Sequence, residues 1–214
     1  MNLSDLLTYA RRQYNAVGDD FFPDAQLYTH VEQAQLELAT AGLLIEDTLT
    51  ATTADGQQEY SFPTNTIAVR RVTWNGQKLN PIDLRDADTV TVFTSGVAAT
   101  GTPQYYSVWE KTFALWPTPN AAQALKVWAY CEPQTVGSAS TLEVPSEFHI
   151  RMADYLLEKM AAKDKNFQAA GYYANEWAKT LAKARSWARK RRTADALVFV
   201  RDEEKQYQTI IGAY

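Results

Sequence analysis

The chain has two histidines, His30 and His149, and each falls on a segment predicted to be helical. Histidine is the usual general base near neutral pH. Neither one has a second His or Cys at the spacing a metal ion requires. His149 follows a predicted helix start, where a surface or capping role is the plainer expectation. Adjacent carboxylates can divide acid and base work, but Asp19-Asp20 follows Gly18 and reads as a loop and helix cap. No G-x-S-x-G, no P-loop and no G-x-G-x-x-G opening a helix is present. The remaining carboxylates are scattered, so a hydrolase, such as one acting on cell walls, has little support. No catalytic residue, cofactor or metal ligand is expected.

Ionic and apolar contact are better represented. Lys179, Lys183, Arg185, Arg189, Lys190, Arg191 and Arg192 form a run with no acidic residue among them. One reading is contact with nucleic acid or an acidic protein surface. The other is favourable positive charge at a helix C-terminus. Trp177 and Trp187 could stack on bases or anchor a core or interface. The helical position of Trp177 favours the second. The tail carries Val198, Phe199, Val200, Tyr207, Ile210, Ile211 and Tyr214. Disordered segments are poor in β-branched and aromatic residues, so a tail that orders on a partner fits better than a frayed terminus.

These groups need elements to position them. A first helix is predicted over residues 3–17, capped by Ser4 or Asn2, with Asp5 at its positive end. A second runs over residues 23–41, with Pro23 in its first turn and Gly42 as its C′ residue. Leu27, Val31, Ala34, Leu38 and Ala41 give it one apolar stripe. A β region follows. Residues 45–53 form a strand, Asp55-Gly56 signals a hairpin, and residues 58–62 return. Residues 66–74 form another strand, Asn75-Gly76 is a type I′ signal, and residues 77–79 pair back. A short helical turn falls near Leu84. Three aromatic-faced strands complete the module over residues 101–109, 112–119 and 125–130. A third helix starts after Pro145, with Phe148, Met152, Tyr155 or Leu156, and Met160 as its stripe. In the fourth, Phe167, Ala170, Ala174, Trp177, Leu181, Ala184 and Ala188 alternate steps of three and four, an a/d seam.

The expected fold class is therefore α+β. It is an α-helical bundle of N-terminal helices and two long C-terminal helices, with an inserted antiparallel β module and an extended C-terminal tail. The predicted boundaries are residues 1–44, 45–143, 144–195 and 196–214. Such a plan is uncommon in metabolic enzymes and common in pieces of ring-shaped assemblies.

Composition sets outer limits. The 214 residues are 46% hydrophobic and 12% aromatic, enough to build a core. No apolar run approaches the ~20 residues of a membrane-crossing helix, and the N-terminus shows no secretory pattern. The single cysteine, Cys131, is expected to be a small buried hydrophobe in a reducing, intracellular setting. Residues 1–144 carry 8 Lys/Arg against 16 Asp/Glu, and residues 145–214 carry 13 against 9. A chain acidic in one part and basic in the other can attract copies of itself head to tail or join two partners.

The order and spacing of several short motifs resemble the head–tail adaptor (connector, or head-completion) proteins of tailed bacteriophages. They are Gly101-x-Pro103-x-Tyr105, Leu115-x-Pro117-x-Pro119, Leu125-x-x-x-x-Tyr130 and Val144-Pro145-x-x-Phe148-His149. Two helices ending near Arg192 follow, and the likeness spans about residues 60–190. The resemblance implies a structural role without catalysis, in a ring, usually dodecameric, beneath the portal of the virion. That ring would extend the channel for packaged double-stranded DNA and meet a tail or nozzle protein. A net acidic lining would let DNA slide. The resemblance also implies a C-terminal segment docking on the portal, which maps onto residues 196–214. A DNA-binding module built on the basic helix end is the alternative.

Overall fold

The computed structural model describes residues 1–18, 20–86, 93–94, 97–98, 100–137, 140–191 and 198–199, and the fold is mixed α+β. The chain divides into two compact units. One comprises Met1–Ile45 and Glu132–Ala194, and the other holds Glu46–Cys131 with a short strand from the tail.

Helices make the first unit: α1 (Leu3–Gln13), α2 (Asp24–Gly42), α3 (Ser146–His149), α4 (Met152–Lys163) and α5 (Phe167–Arg191). Asn2 caps α1 in a reciprocal box with Asp5. The Asp5 amide donates to Asn2 Oδ1 at 2.8 Å, and the Asn2 amide donates to Asp5 Oδ2 at 3.3 Å. The helix is shorter than its apolar pattern predicts. Asn15 adopts φ 61°, and the Ala16 amide turns back to the Arg11 carbonyl at 2.8 Å, which closes the last turn. Val17 consequently lies outside the helix and is 71% exposed.

Gly42 does not serve as the left-handed C′ residue of α2. Leu43 takes that conformation, with φ 48°. Gly42 is instead the last helical residue, and it meets a steric demand. A Cβ there would fall 2.7 Å from Leu44 Cδ2 and 3.2 Å from Ala184 Cβ. The helix beyond Pro145 is split in two, α3 and α4, and the predicted stripe of Phe148, Met152, Tyr155, Leu156 and Met160 is buried throughout. Leu6, Leu27, Val31, Leu38, Phe148, Met152 and Leu156 belong to one hydrophobic cluster.

Strands make the second unit. They are β1 (Glu46–Thr52), β2 (Glu59–Ser61), β3 (Thr66–Trp74), β4 (Gln77–Pro81), β5 (Phe93–Thr94), β6 (Val97–Ala98), β7 (Thr100–Gly101), β8 (Tyr105–Trp109), β9 (Thr112–Trp116), β10 (Thr118–Pro119), β11 (Ala124–Cys131) and β12 (Val198–Phe199). The main sheet runs β1-β11-β3-β4-β8-β9-β2, with β12 also on β3. β3 sits centrally and is buried at seven of its nine positions, as a strand covered on both faces should be. The β3–β4 turn is the predicted one, with Asn75 at φ 48° and Gly76 at φ 79°.

Two sequence expectations fail here. The module is not purely antiparallel, because β4 pairs with β8 and β7 with β10 in parallel. A parallel pair needs a crossover of about a dozen residues or more, and residues 82–104 supply one between β4 and β8. Nor does Asp55-Gly56 close a β1–β2 hairpin. Gly56 does turn, with φ 74°, but β1 pairs with β11 and β2 with β9, so β1 and β2 become the two ends of the sheet.

Candidate interaction surfaces

α5 is the longest helix among the described residues and carries the basic run around a buried stripe. Trp177, Thr180, Ala184 and Ala188 face inward. Trp177 is fixed twice. Its indole packs edge-on to Tyr155 of α4 at 5.2 Å, and its Nε1 donates to Glu37 Oε2 of α2 at 2.7 Å. The tyrosine hydroxyl is pushed upward in pKa, first by burial and then by the negative charge of Glu37. The predicted seam is therefore used from Trp177 onward. Its first member, Phe167, is 73% exposed.

Arg185, Arg189, Lys190 and Arg191 are all exposed. Arg189, Lys190 and Arg191 occupy the last turn, where they offset the negative end of the helix dipole. Among the described residues no carboxylate pairs with Arg185, Arg189 or Lys190. The Arg191 guanidinium lies 4.4 Å from the centre of the Trp187 ring, which itself packs edge-on to Phe148 at 6.1 Å. Both tryptophans thus act as anchors of the helical core rather than as free stacking platforms. Arg192 lies outside the described residues.

Of the tail residues singled out above, Val198 and Phe199 form β12, antiparallel to β3, with Val198 opposite Val69 and Phe199 opposite Ala68. Val200, Tyr207, Ile210, Ile211 and Tyr214 lie outside the described residues.

The histidines hold structural positions. His149 is not a surface residue. It is 8% exposed, with Nδ1 3.0 Å from the Met1 carbonyl and Nε2 2.7 Å from the Val144 carbonyl. Its ring ties the N-terminus to the start of α3, a role that helix spacing alone does not reveal because both partners are backbone atoms. His30 on α2 is partly buried, and its pKa is lowered first by that burial and then by Lys159 and Lys163. Asp20 is exposed, and Asp19 lies outside the described residues. Among the described residues no three His, Cys, Asp or Glu side chains gather as a metal site would require, and no helix is long and apolar enough to cross a membrane.

The concavities among the described residues include two that lie within the units. One, of about 160 Å³, lies between α1 and α2 and is closed on one side by the 2.8 Å ion pair of Arg11 and Asp24. The other, of about 380 Å³, is a groove between β1 and β2 floored by Phe113, Leu125 and Val127. Neither gathers the nucleophile, base and oxyanion donors of a catalytic constellation. Trp109, 62% exposed beside the β8–β9 turn, escapes sequence reasoning. An aromatic at the end of a strand reads the same whether it is covered or not.

The described residues form helices and a mixed sheet and expose both charged and large apolar side chains. The family model described as SU10 adaptor protein matches residues 1–200. The chain belongs to this family, a family of phage head–tail adaptors and hence of virion structural proteins. No curated protein sequence matches it.

Proposed function

We propose that the chain forms a ring, of the dodecameric kind its resemblance implies, beneath the portal, where it extends the DNA channel and offers an attachment surface to the tail. The observation that carries this reading is the family match across residues 1–200. In this reading the helices form a bundle interrupted in sequence by the β module. In this reading β12 leaves β3 on assembly, and the segment from residue 196 docks on the portal through Val198, Phe199, Val200, Tyr207, Ile210, Ile211 and Tyr214.

Energetics favour many copies acting together. Each fully buried large apolar side chain contributes roughly 1.5–3 kcal/mol, and each residue ordered costs about 1–2 kcal/mol. The margin per tail is small, so ring multiplicity supplies most of the avidity. Removal of residues 196–214 should leave helical circular dichroism unchanged and abolish co-sedimentation with portals. A truncated chain that still binds portals would take the tail out of the mechanism.

A second reading rests on one specific observation, that Arg185, Arg189 and Lys190 are exposed at the end of α5 without carboxylate partners among the described residues. Those residues would then bind duplex DNA directly. Binding of the isolated chain to duplex DNA with a steep salt dependence, lost when the three are changed to Gln, would favour it over the adaptor reading.

A further inference from the structure

β1 is an edge strand without the usual protections. It pairs with β11 on one side, and among the described residues no strand takes its other side. Six of its seven residues are exposed and Leu49 is partly buried. Natural edges are blunted by charge, proline, bulges or shortness. Here Glu46 and Asp47 charge only the beginning, Thr48–Thr52 has neither charge nor proline, and the β1–β11 register runs without a bulge. The opposite end of the sheet is different: β2 has three residues, starts at Glu59 and is soon followed by Pro63.

β5 and β6 are the complementary anomaly. Among the described residues they pair only with each other, Phe93 opposite Ala98 and Thr94 opposite Val97, as a separate two-stranded sheet. An isolated hairpin is marginal in water, and a third strand is what normally stabilises one. No charged residue occurs from Thr89 to Thr100, so nothing in the sequence guards this hairpin against pairing. Among the described residues of one copy, no pairing joins the hairpin to the β1 edge.

We propose that the β1 edge of one copy receives the β5–β6 hairpin of a neighbouring copy by strand addition. The two surfaces differ, so the contact is heterologous. Repeated contacts of this kind close into a ring when the rotation permits. The inference rests on the ring reading above and names the surfaces that join neighbours.

Disulfide trapping in full-length chains assembled on portals tests it. Cys131 is replaced by Ser, and Thr94→Cys is combined in turn with Thr48→Cys, Thr50→Cys or Thr52→Cys. Mild oxidation should give a ladder of covalent multimers for at least one combination. Each single variant should stop at dimers or below. A second variant, Thr50→Lys, places a charge on the edge at an exposed position. It should keep the wild-type melting temperature and lower assembly at least tenfold. Rings that form normally with no inter-copy ladder, a cross-link confined to single chains, or unimpaired assembly by Thr50→Lys would each overturn the strand addition while leaving the ring intact. Failure of the wild-type chain to form rings on portals would overturn the ring reading and this inference with it.

Discussion

Trp177 joins three helices through one side chain. It packs edge-on to Tyr155 of α4, donates to Glu37 of α2 and belongs to α5. Trp177→Ala should cost on the order of 3–5 kcal/mol in urea denaturation, the range for large-to-small changes in cores. An unchanged midpoint would mean that the stripe is not a packing seam. Trp177→Phe keeps a ring but removes the indole N–H that donates to Glu37, and about 1–3 kcal/mol should be lost. His30 supplies a pH-dependent test. Its folded-state pKa is lowered from its ordinary 6.5, mainly by burial. Below pH 6.5 the unfolded chain takes up a proton that the folded chain resists, so stability falls as pH drops through that region. Urea midpoints measured from pH 8 to pH 5 should decline, and His30→Gln should flatten part of the decline. At this scale the sequence was informative about stripes and silent about backbone partners. Trp177 could be placed on a buried seam from spacing alone. The burial of His149 could not, because its contacts are the carbonyls of Met1 and Val144.

Elements show the same division between local and non-local information. The β3–β4 turn is written in two adjacent residues, Asn75 and Gly76, and both adopt the positive φ that a type I′ turn requires. Gly76→Val should lower stability by more than the ~1–2 kcal/mol left-handed penalty of an ordinary residue, since valine is branched at Cβ. A thermal melt equal to wild type would place the turn in another conformation. The helix stripes were likewise legible, because a 3.6-residue period depends only on neighbours in sequence. Strand partners were not. Alternation reports which face a residue occupies but not which strand lies beside it. Asp55-Gly56 therefore looked like a hairpin although β1 and β2 bond to β11 and β9. The parallel β4–β8 pair was hidden for the same reason. Gly42 illustrates a subtler limit. Glycine at a helix end suggests a left-handed cap, but here Leu43 has that conformation and the glycine makes room for Leu44 and Ala184.

For the molecule as a whole, function follows from surfaces. The described residues present a basic helix end, an unguarded sheet edge and an exposed Trp109, and the family match assigns the chain to phage head–tail adaptors. The unequal division of charge, 8 Lys/Arg against 16 Asp/Glu before residue 145 and 13 against 9 after it, suits neighbours that meet through unlike faces. Part of such attraction is screened at physiological salt, so assembly on portals should weaken as ionic strength rises, as light scattering would record. Family and general role were legible because short motifs recur in order along the chain. The tail residues Val198, Phe199, Val200, Tyr207, Ile210, Ile211 and Tyr214 were legible only as composition, which names apolar and aromatic side chains but no partner. Electron-microscopy class averages of the full-length chain mixed with its portal test the central claim most directly. An adaptor ring should appear as closed added density, coaxial with the portal and stacked on its tail-facing end. Portals that stay bare at saturating concentrations of a folded chain would contradict it.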